Sequence, residues 1–149
     1  MIATIRTNSE NPDFRQLVQR LDQELAMRDG TDHSFYAQFN KIDLIQNAIV
    51  AYEGDTPVGC GAIKAFSTEA MEVKRMYVLP QRRGMGTASK ILTALEEWAR
   101  ELGYQKTVLE TGRRQPEAIA LYKNRGYSIT PNYGQYIGVD NSVCFEKLV

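Results

Sequence analysis

The chain has 149 residues with 18 basic and 18 acidic side chains, so its formal net charge is zero. That length fits one domain over residues 1–149 with a substantial core. The charge balance argues against nucleic acid or an anionic membrane as the main partner, because both favour a basic surface. No apolar run is long enough to span a bilayer, and there is no charged-then-apolar leader. Cys60 and Cys144 lie in strand-like segments without CxxC spacing and read as buried free thiols, which suits a reducing cytoplasm. His33 is the single histidine and no ligand cluster accompanies it, so no metal is expected.

Residues 2–6 alternate as a first strand. Asn11-Pro12 with Asp13 opens a helix to about Met27, with Phe14, Leu17, Val18, Leu21 and Leu25 on one stripe. Asp29-Gly30 stops it, and residues 34–40 pattern as a short second helix. Residues 48–53 and 58–66 are strands joined by a turn at Gly54-Asp55-Thr56-Pro57, and residues 70–79 form another strand closed by Pro80. The best helix pattern runs from Met85 to Leu102, carrying Ile91, Leu92, Leu95, Trp98 and Ala99 inward, and Gly103 ends it. Residues 106–111 form a strand, 116–124 a short helix stopped by Gly126, and 127–130 and 143–148 the closing strands. Helix–strand alternation with several hairpins indicates an α/β protein with a mixed sheet.

Two local features carry more information than the rest. In the strand before Pro80, Met71 and Val73 share one parity while Met76 and Val78 share the other. Either both faces are covered there, or a bulge between Val73 and Met76 shifts the phase and leaves backbone groups free to bind; of these the bulge is preferred. Directly after the strand comes Gln81-Arg82-Arg83-Gly84-Met85-Gly86, opening the helix. A two-glycine turn at a helix start exposes N–H groups that no carbonyl satisfies. With the positive end of the helix dipole and two arginines beside them, these groups suit a diphosphate.

These residues resemble a known family. The block from Met71 to Arg100, with Gln81-x-x-Gly84-x-Gly86, resembles motif A of the GNAT superfamily of acetyl-coenzyme A-dependent N-acetyltransferases. Gln115-x-x-Ala118-Ile119-x-Leu121-Tyr122, followed by Gly126-Tyr127, is similar to the family's helix after the next strand. The resemblance implies a mixed, mostly antiparallel sheet with a splayed parallel strand pair and helices on both faces. It implies that acetyl-CoA binds in the V-shaped cleft between those strands. The pantetheine arm would add along Met76, Tyr77 and Val78 through backbone groups. The pyrophosphate would lie on the loop opened by Gln81, over the amides of Arg82, Arg83, Gly84, Met85, Gly86, Thr87 and Ala88. Gln115 stands where the family usually has a cofactor-contacting asparagine and offers the same amide one methylene further out. Lys123 or Arg125 either meets the 3′-phosphate or is a solvated charge.

Acetyl transfer to an amine needs a neutral nucleophile, a polarised thioester carbonyl and a protonated leaving sulfur. A free alkylamine has a pKa near ~10.4, so it must first lose a proton. Glu72, beside the proposed bulge, is the candidate base, acting directly or through water; the alternative is a carboxylate paired with Lys74 or Lys64. The resemblance places the hydroxyl of Tyr122 near the coenzyme sulfur as a proton donor. An unpaired backbone N–H near Met76 would serve the oxyanion. Neither cysteine has a histidine at a recognisable spacing, so direct transfer without an acyl-enzyme is expected. Phe35, Tyr36, Phe39, Lys64, Phe66, Tyr133 and Tyr136 fall in the segments that build the family's acceptor pocket. Aromatics with few acids suit a modest amine or an amino acid with an apolar part, and Lys64 is the candidate for a substrate carboxylate. The family relationship leaves a homodimer through an edge strand open.

Two rival readings stand beside this one. Gly84-x-Gly86, with Glu110 ending the next strand, partly matches a dinucleotide loop. Against it, Ser89 replaces the third glycine, the preceding strand carries Glu72, Lys74 and Arg75, and too little chain follows for the second half of such a sheet. The other rival is a non-catalytic acyl-CoA sensor or partner subunit of the same fold, against which the presence of Tyr122 and Glu72 together argues.

Overall fold

A computed structural model describes residues 1–29 and 45–149. The expected helix over 34–40, with His33, Phe35, Tyr36 and Phe39, lies outside the described residues. In chain order the elements are β1 (Ile2–Thr7), α1 (Pro12–Asp29), β2 (Asn47–Glu53), β3 (Thr56–Ala65), β4 (Ala70–Val78), α2 (Thr87–Glu101), β5 (Lys106–Gly112), α3 (Pro116–Asn124), β6 (Ser128–Thr130) and β7 (Ser142–Leu148). The seven strands form one sheet in the order β1-β2-β3-β4-β5-β7-β6. Every neighbouring pair is antiparallel except β4 and β5.

The first helix starts where a side chain supplies a cap. The side-chain oxygen of Asn11 accepts a hydrogen bond from the Phe14 amide at 3.0 Å, fixing the first turn of α1. Phe14, Leu17, Val18 and Leu21 then point into the core. The helix expected from Met85 begins two residues later, at Thr87, because Gly86 is its N-cap and adopts φ 82°. That left-handed conformation cannot continue a right-handed helix. Ile91, Leu92, Leu95 and Ala99 of α2 are fully buried. The two-residue hairpin loop between β2 and β3 likewise uses positive φ, at Gly54.

Helices cover both faces of the sheet. A Cβ added at Gly59 or Gly61 of β3 would meet Ile91 of α2 at 3.0 and 2.9 Å, so α2 lies directly on that strand. Cys60, between the glycines, therefore points to the other face. Its thiol contacts the backbone oxygen of Arg75, whose guanidinium reaches Asp22 of α1 at 2.7 Å. α1 thus covers the second face.

The bulge expected in β4 is present. Ala62 pairs with Lys74 and Cys60 with Tyr77, so two steps along β3 match three along β4. Arg75 takes the strain at φ 60°. Before the bulge Val73 faces Ile63 and Met71 faces Ala65, on the α2 side by their parity with Gly61. After it, Met76 and Val78 touch the Cβ positions of Gly61 and Gly59, again toward α2. One extra residue therefore puts all four apolar side chains on one face and leaves Glu72 and Lys74 on the α1 side.

The glycines of β3 set how closely α2 can approach. At Gly59 an added Cβ would lie 2.9 Å from the Tyr77 carbonyl oxygen, and at Gly61 it would lie 2.7 Å from the Met76 sulfur and 2.9 Å from both Ile91 and Leu95. Gly59→Ala and Gly61→Ala are therefore each expected to lower the unfolding free energy by about 1–3 kcal/mol in urea denaturation, because a backbone oxygen and fully buried side chains cannot move aside. Equal stability of Gly59→Ala and the unaltered protein would contradict this packing.

Candidate active site

The site is built by strands that part company. β4 and β5 pair only through Ala70–Lys106, Met71–Thr107 and Glu72–Val108. Beyond Glu72, β4 stays with β3, while β5 stays with β7 along its whole length. The gap between them holds two adjoining cavities of about 120 and 350 Å³, which share Leu21, Met76, Gln115, Ala118 and Tyr122 in their walls. Backbone direction inside the gap follows from alternation. The Leu79 amide bonds to Val58 on β3, so the polar groups of Val78 and Met76 face the gap. The Val78 carbonyl accepts from Arg83 Nε at 2.8 Å, leaving the other groups of that edge toward β5.

The larger cavity opens onto the glycine loop. The amides of Arg82 and Arg83 bond to the carbonyls of Leu79 and Pro80 in a 3-10 turn, Pro80–Arg82. They are therefore not part of the free set expected from the sequence. The first helical bond of α2 runs from the Lys90 amide to the Gly86 carbonyl, so the amides of Thr87, Ala88 and Ser89 have no partner within the helix. No side chain caps them. Gly84 and Gly86 have φ of 79° and 82°, so glycine is needed here for backbone conformation. Gln115 caps α3 through its backbone and makes no side-chain cap bond, while it lines both cavities.

Charged side chains bridge the mouth of this cavity. Arg83 meets Glu24 of α1 at 2.8 Å, Arg28 meets Glu117 of α3 at 2.6 Å, and Arg82 meets Glu53 at 2.9 Å. The hydrogen bond from Arg28 holds the Glu117 carboxyl below its ordinary range. Partly exposed pairs of this kind are worth on the order of 0–1 kcal/mol each, so an arginine can exchange one for a diphosphate at small cost. Lys123 is exposed and lines neither cavity; Arg125 donates to Thr93 at 3.3 Å.

The smaller cavity brings Glu72 and Tyr122 together. Tyr122 is buried against Tyr127 and Phe145, with ring centroids 5.8 Å from each. Burial, and then the charge of Glu110, keep its hydroxyl protonated far above the ordinary tyrosine range. Glu72 accepts from the Tyr133 hydroxyl at 2.6 Å, and its other oxygen lies 3.7 Å from Lys74. Lys64 stands opposite Glu72 in the β3–β4 register but lines neither cavity. Phe66 is partly exposed and packs edge-on against Tyr133, which reaches the cavity through Glu72.

Three participants were not picked out from the sequence. Glu110 lines the smaller cavity and accepts from Ser142 at 2.7 Å, so this end of the cleft carries two carboxylates rather than few acids. Arg75 lines it as well. Behind Tyr122, the Tyr127 hydroxyl bonds to Thr107 at 2.7 Å and to Glu96 at 3.0 Å, and Lys147 neutralises Glu96 at 3.0 Å. That buried chain ties α2, β5 and β7 behind the ring of Tyr122. Among the described residues no group of histidine, cysteine or acidic side chains is arranged to hold a metal. No described helix is long and apolar enough to cross a membrane.

Comparison with known proteins decides the family. The model of the acetyltransferase (GNAT) family matches residues 10–127. The chain belongs to this family. An IAA acetyltransferase of Azospirillum brasilense is 42% identical over 101 residues, covering 66% of this chain and 65% of that relative. A crystal structure of a Klebsiella pneumoniae protein, named as an acyl-CoA N-acyltransferase, superimposes with a TM-score of 0.83 at 30% identity, covering 99% of this chain and 97% of that one. A GNAT acetyltransferase from Elizabethkingia anophelis, with acetyl-CoA bound, shares the fold at TM-score 0.72 and 17% identity, covering 99% and 98%.

Tyr122, Tyr127, Tyr133 and Tyr136 all have their acidity weakened, first of all by burial. Their native pKa values lie above the unfolded value of about 10, so the stability that depends on their protonation is complete below that pH and is lost as pH rises beyond it. In an alkaline titration followed by phenolate absorbance, these four are expected to ionise together with the loss of near-ultraviolet circular dichroism. Ionisation of every tyrosine with the fold intact would contradict their burial.

Proposed function

We propose that this protein transfers the acetyl group of acetyl-CoA directly to a primary amine of a small molecule or amino acid, without an acyl-enzyme. The observation that carries this reading is the convergence of Glu72 and Tyr122 on one cavity that adjoins the free amides of the glycine loop. Family membership supports it, as does the acetyl-CoA bound to the Elizabethkingia relative of the same fold.

The residues present suit such a ligand. The amides from Thr87 to Ser89, the Gln115 side chain and Arg83 form a donor set for a diphosphate. The exposed edge of Met76 and Val78 offers main-chain pairing to an amide-bearing arm. Acetyl-CoA brings the activated acyl group; the chain brings position and proton handling. Glu72 takes the proton that an ammonium acceptor must lose before it can attack. Its Oε1 is the more open oxygen, since Tyr133 holds Oε2. Backbone N–H groups at the bulge polarise the carbonyl under attack. Tyr122 stays neutral and donates a hydrogen bond to the departing sulfur. Of the two protons the amine nitrogen loses, one remains on Glu72 until solvent takes it and the other ends on the sulfur. Cys60 takes no part, because burial pushes its thiol up to about 12.

Tyr122→Phe is expected to lower kcat at least ~10-fold while leaving the Kd for coenzyme A within ~2-fold, since only the hydroxyl is lost. Release of free thiol from acetyl-CoA with a panel of amines measures the first, and calorimetry the second. Unchanged turnover removes Tyr122 from the chemistry. Tight coenzyme binding with no thiol release from any amine would point instead to an acyl-CoA sensor.

A further inference from the structure

The smaller cavity carries a charge pattern that acetyl transfer alone does not require. Its walls hold two carboxylates, Glu72 and Glu110, and two cations, Lys74 and Arg75. Each carboxylate is fixed from behind by a hydroxyl, Glu72 by Tyr133 and Glu110 by Ser142. Both stand close enough to Tyr136 and Cys144 to oppose their ionisation, in addition to the larger effect of burial. Glu72 also lies 3.7 Å from Lys74; a carboxylate has about four lone-pair positions and can accept from more than one donor, an ammonium group included.

Arg75 differs from the protein's other arginines. Its side chain is only 2% exposed, and one terminal nitrogen meets Asp22 at 2.7 Å. Its Nε is buried without a hydrogen-bond partner, the one such side-chain atom among the described residues. A buried guanidinium donor left unmade is costly, and a planar carboxylate offers the matching acceptor geometry. The backbone strain at φ 60° places this residue at the bulge, next to where the acceptor amine must arrive.

We infer that the acceptor is a zwitterion, an amino acid whose ammonium group lies between Glu72 and Glu110 and whose carboxylate is taken by Arg75. This rests on the acetyl-transfer reading and narrows its acceptor. Leu21, Leu25 and Ala118 supply apolar wall for the amino acid's side chain. Lys64, outside the cavity, has no part in it. Arg75 is then a specificity-determining residue and Glu110 a positioning one.

The test uses the full chain, acetyl-CoA and matched acceptors: a set of amino acids, their carboxamides and their decarboxylated amines. Thiol release is expected to give each favoured amino acid a kcat/KM at least ~10-fold above its carboxamide and its amine, because those cannot satisfy Arg75. Arg75→Lys is expected to bring that ratio to within ~3-fold of unity, since a lysine lacks the planar fork. The ratio is taken within one preparation, so partial loss of folded protein does not change it. Carboxamides or plain amines acetylated as fast as amino acids would overturn the inference while leaving acetyl transfer intact. An unchanged ratio in Arg75→Lys would overturn the role of Arg75. No thiol release with any of the three sets would overturn the acetyl-transfer reading and this inference with it.

Discussion

A single inserted residue in β4 governs the arrangement of the cleft. Arg75 in the left-handed region costs on the order of 1–2 kcal/mol for a side chain that is not glycine. What offsets that cost is a core in which Met71, Val73, Met76 and Val78 all lie on the face of the sheet that α2 covers. Without the extra residue, the second pair would turn toward α1 and share a face with Glu72 and Lys74. The parallel pairing with β5 stops after three residue pairs, at Glu72, just before the bulge.

The three helices around the cleft are held by different kinds of force. α2 sits on β3 at a distance that only glycine permits, and its buried Glu96 is anchored through Tyr127 and Lys147. Tyr127, a member of that network, packs against the ring of Tyr122. Across the mouth, α1 meets the glycine loop through Glu24 with Arg83 and meets α3 through Arg28 with Glu117, all ion pairs of partly exposed side chains. Such contacts are weak and screened by salt. The inner wall of the cleft is therefore backed by packing, whereas its mouth is bridged by contacts that salt weakens.

The legible features of the sequence were those with a local signature. The parity slip between Val73 and Met76 predicts the bulge, because period-two alternation makes any insertion visible. α3 falls at Pro116–Asn124 as expected, since proline and glycine bracket it. Glu110, Arg75 and Glu96 could not be recognised in the same way. Glu110 meets Ser142, Glu96 meets Tyr127 and Arg75 meets Asp22, partners 32, 31 and 53 residues away. In one dimension each looks like a surface charge on an amphipathic element. The apolar pattern puts the start of α2 at Met85, two residues early, because Met85 extends that pattern while the φ of Gly86 interrupts the helix. The arginines of the loop were read correctly as neighbours of the cavity, but their amides are engaged by the 3-10 turn, which no side-chain pattern reveals.

The burial of both cysteines bears on how such a protein lives with its own product. A thioester-cleaving reaction sets free a reactive thiol beside the polypeptide at every turnover. Mixed disulfides form through thiolates that can be reached. Cys60 and Cys144 are wholly inaccessible, with their thiols pushed up to about 12 and about 11, so neither presents a thiolate at neutral pH. The folded chain therefore offers no accessible thiolate to a disulfide, and a thiol-specific dye would register only the coenzyme that the proposed reaction releases.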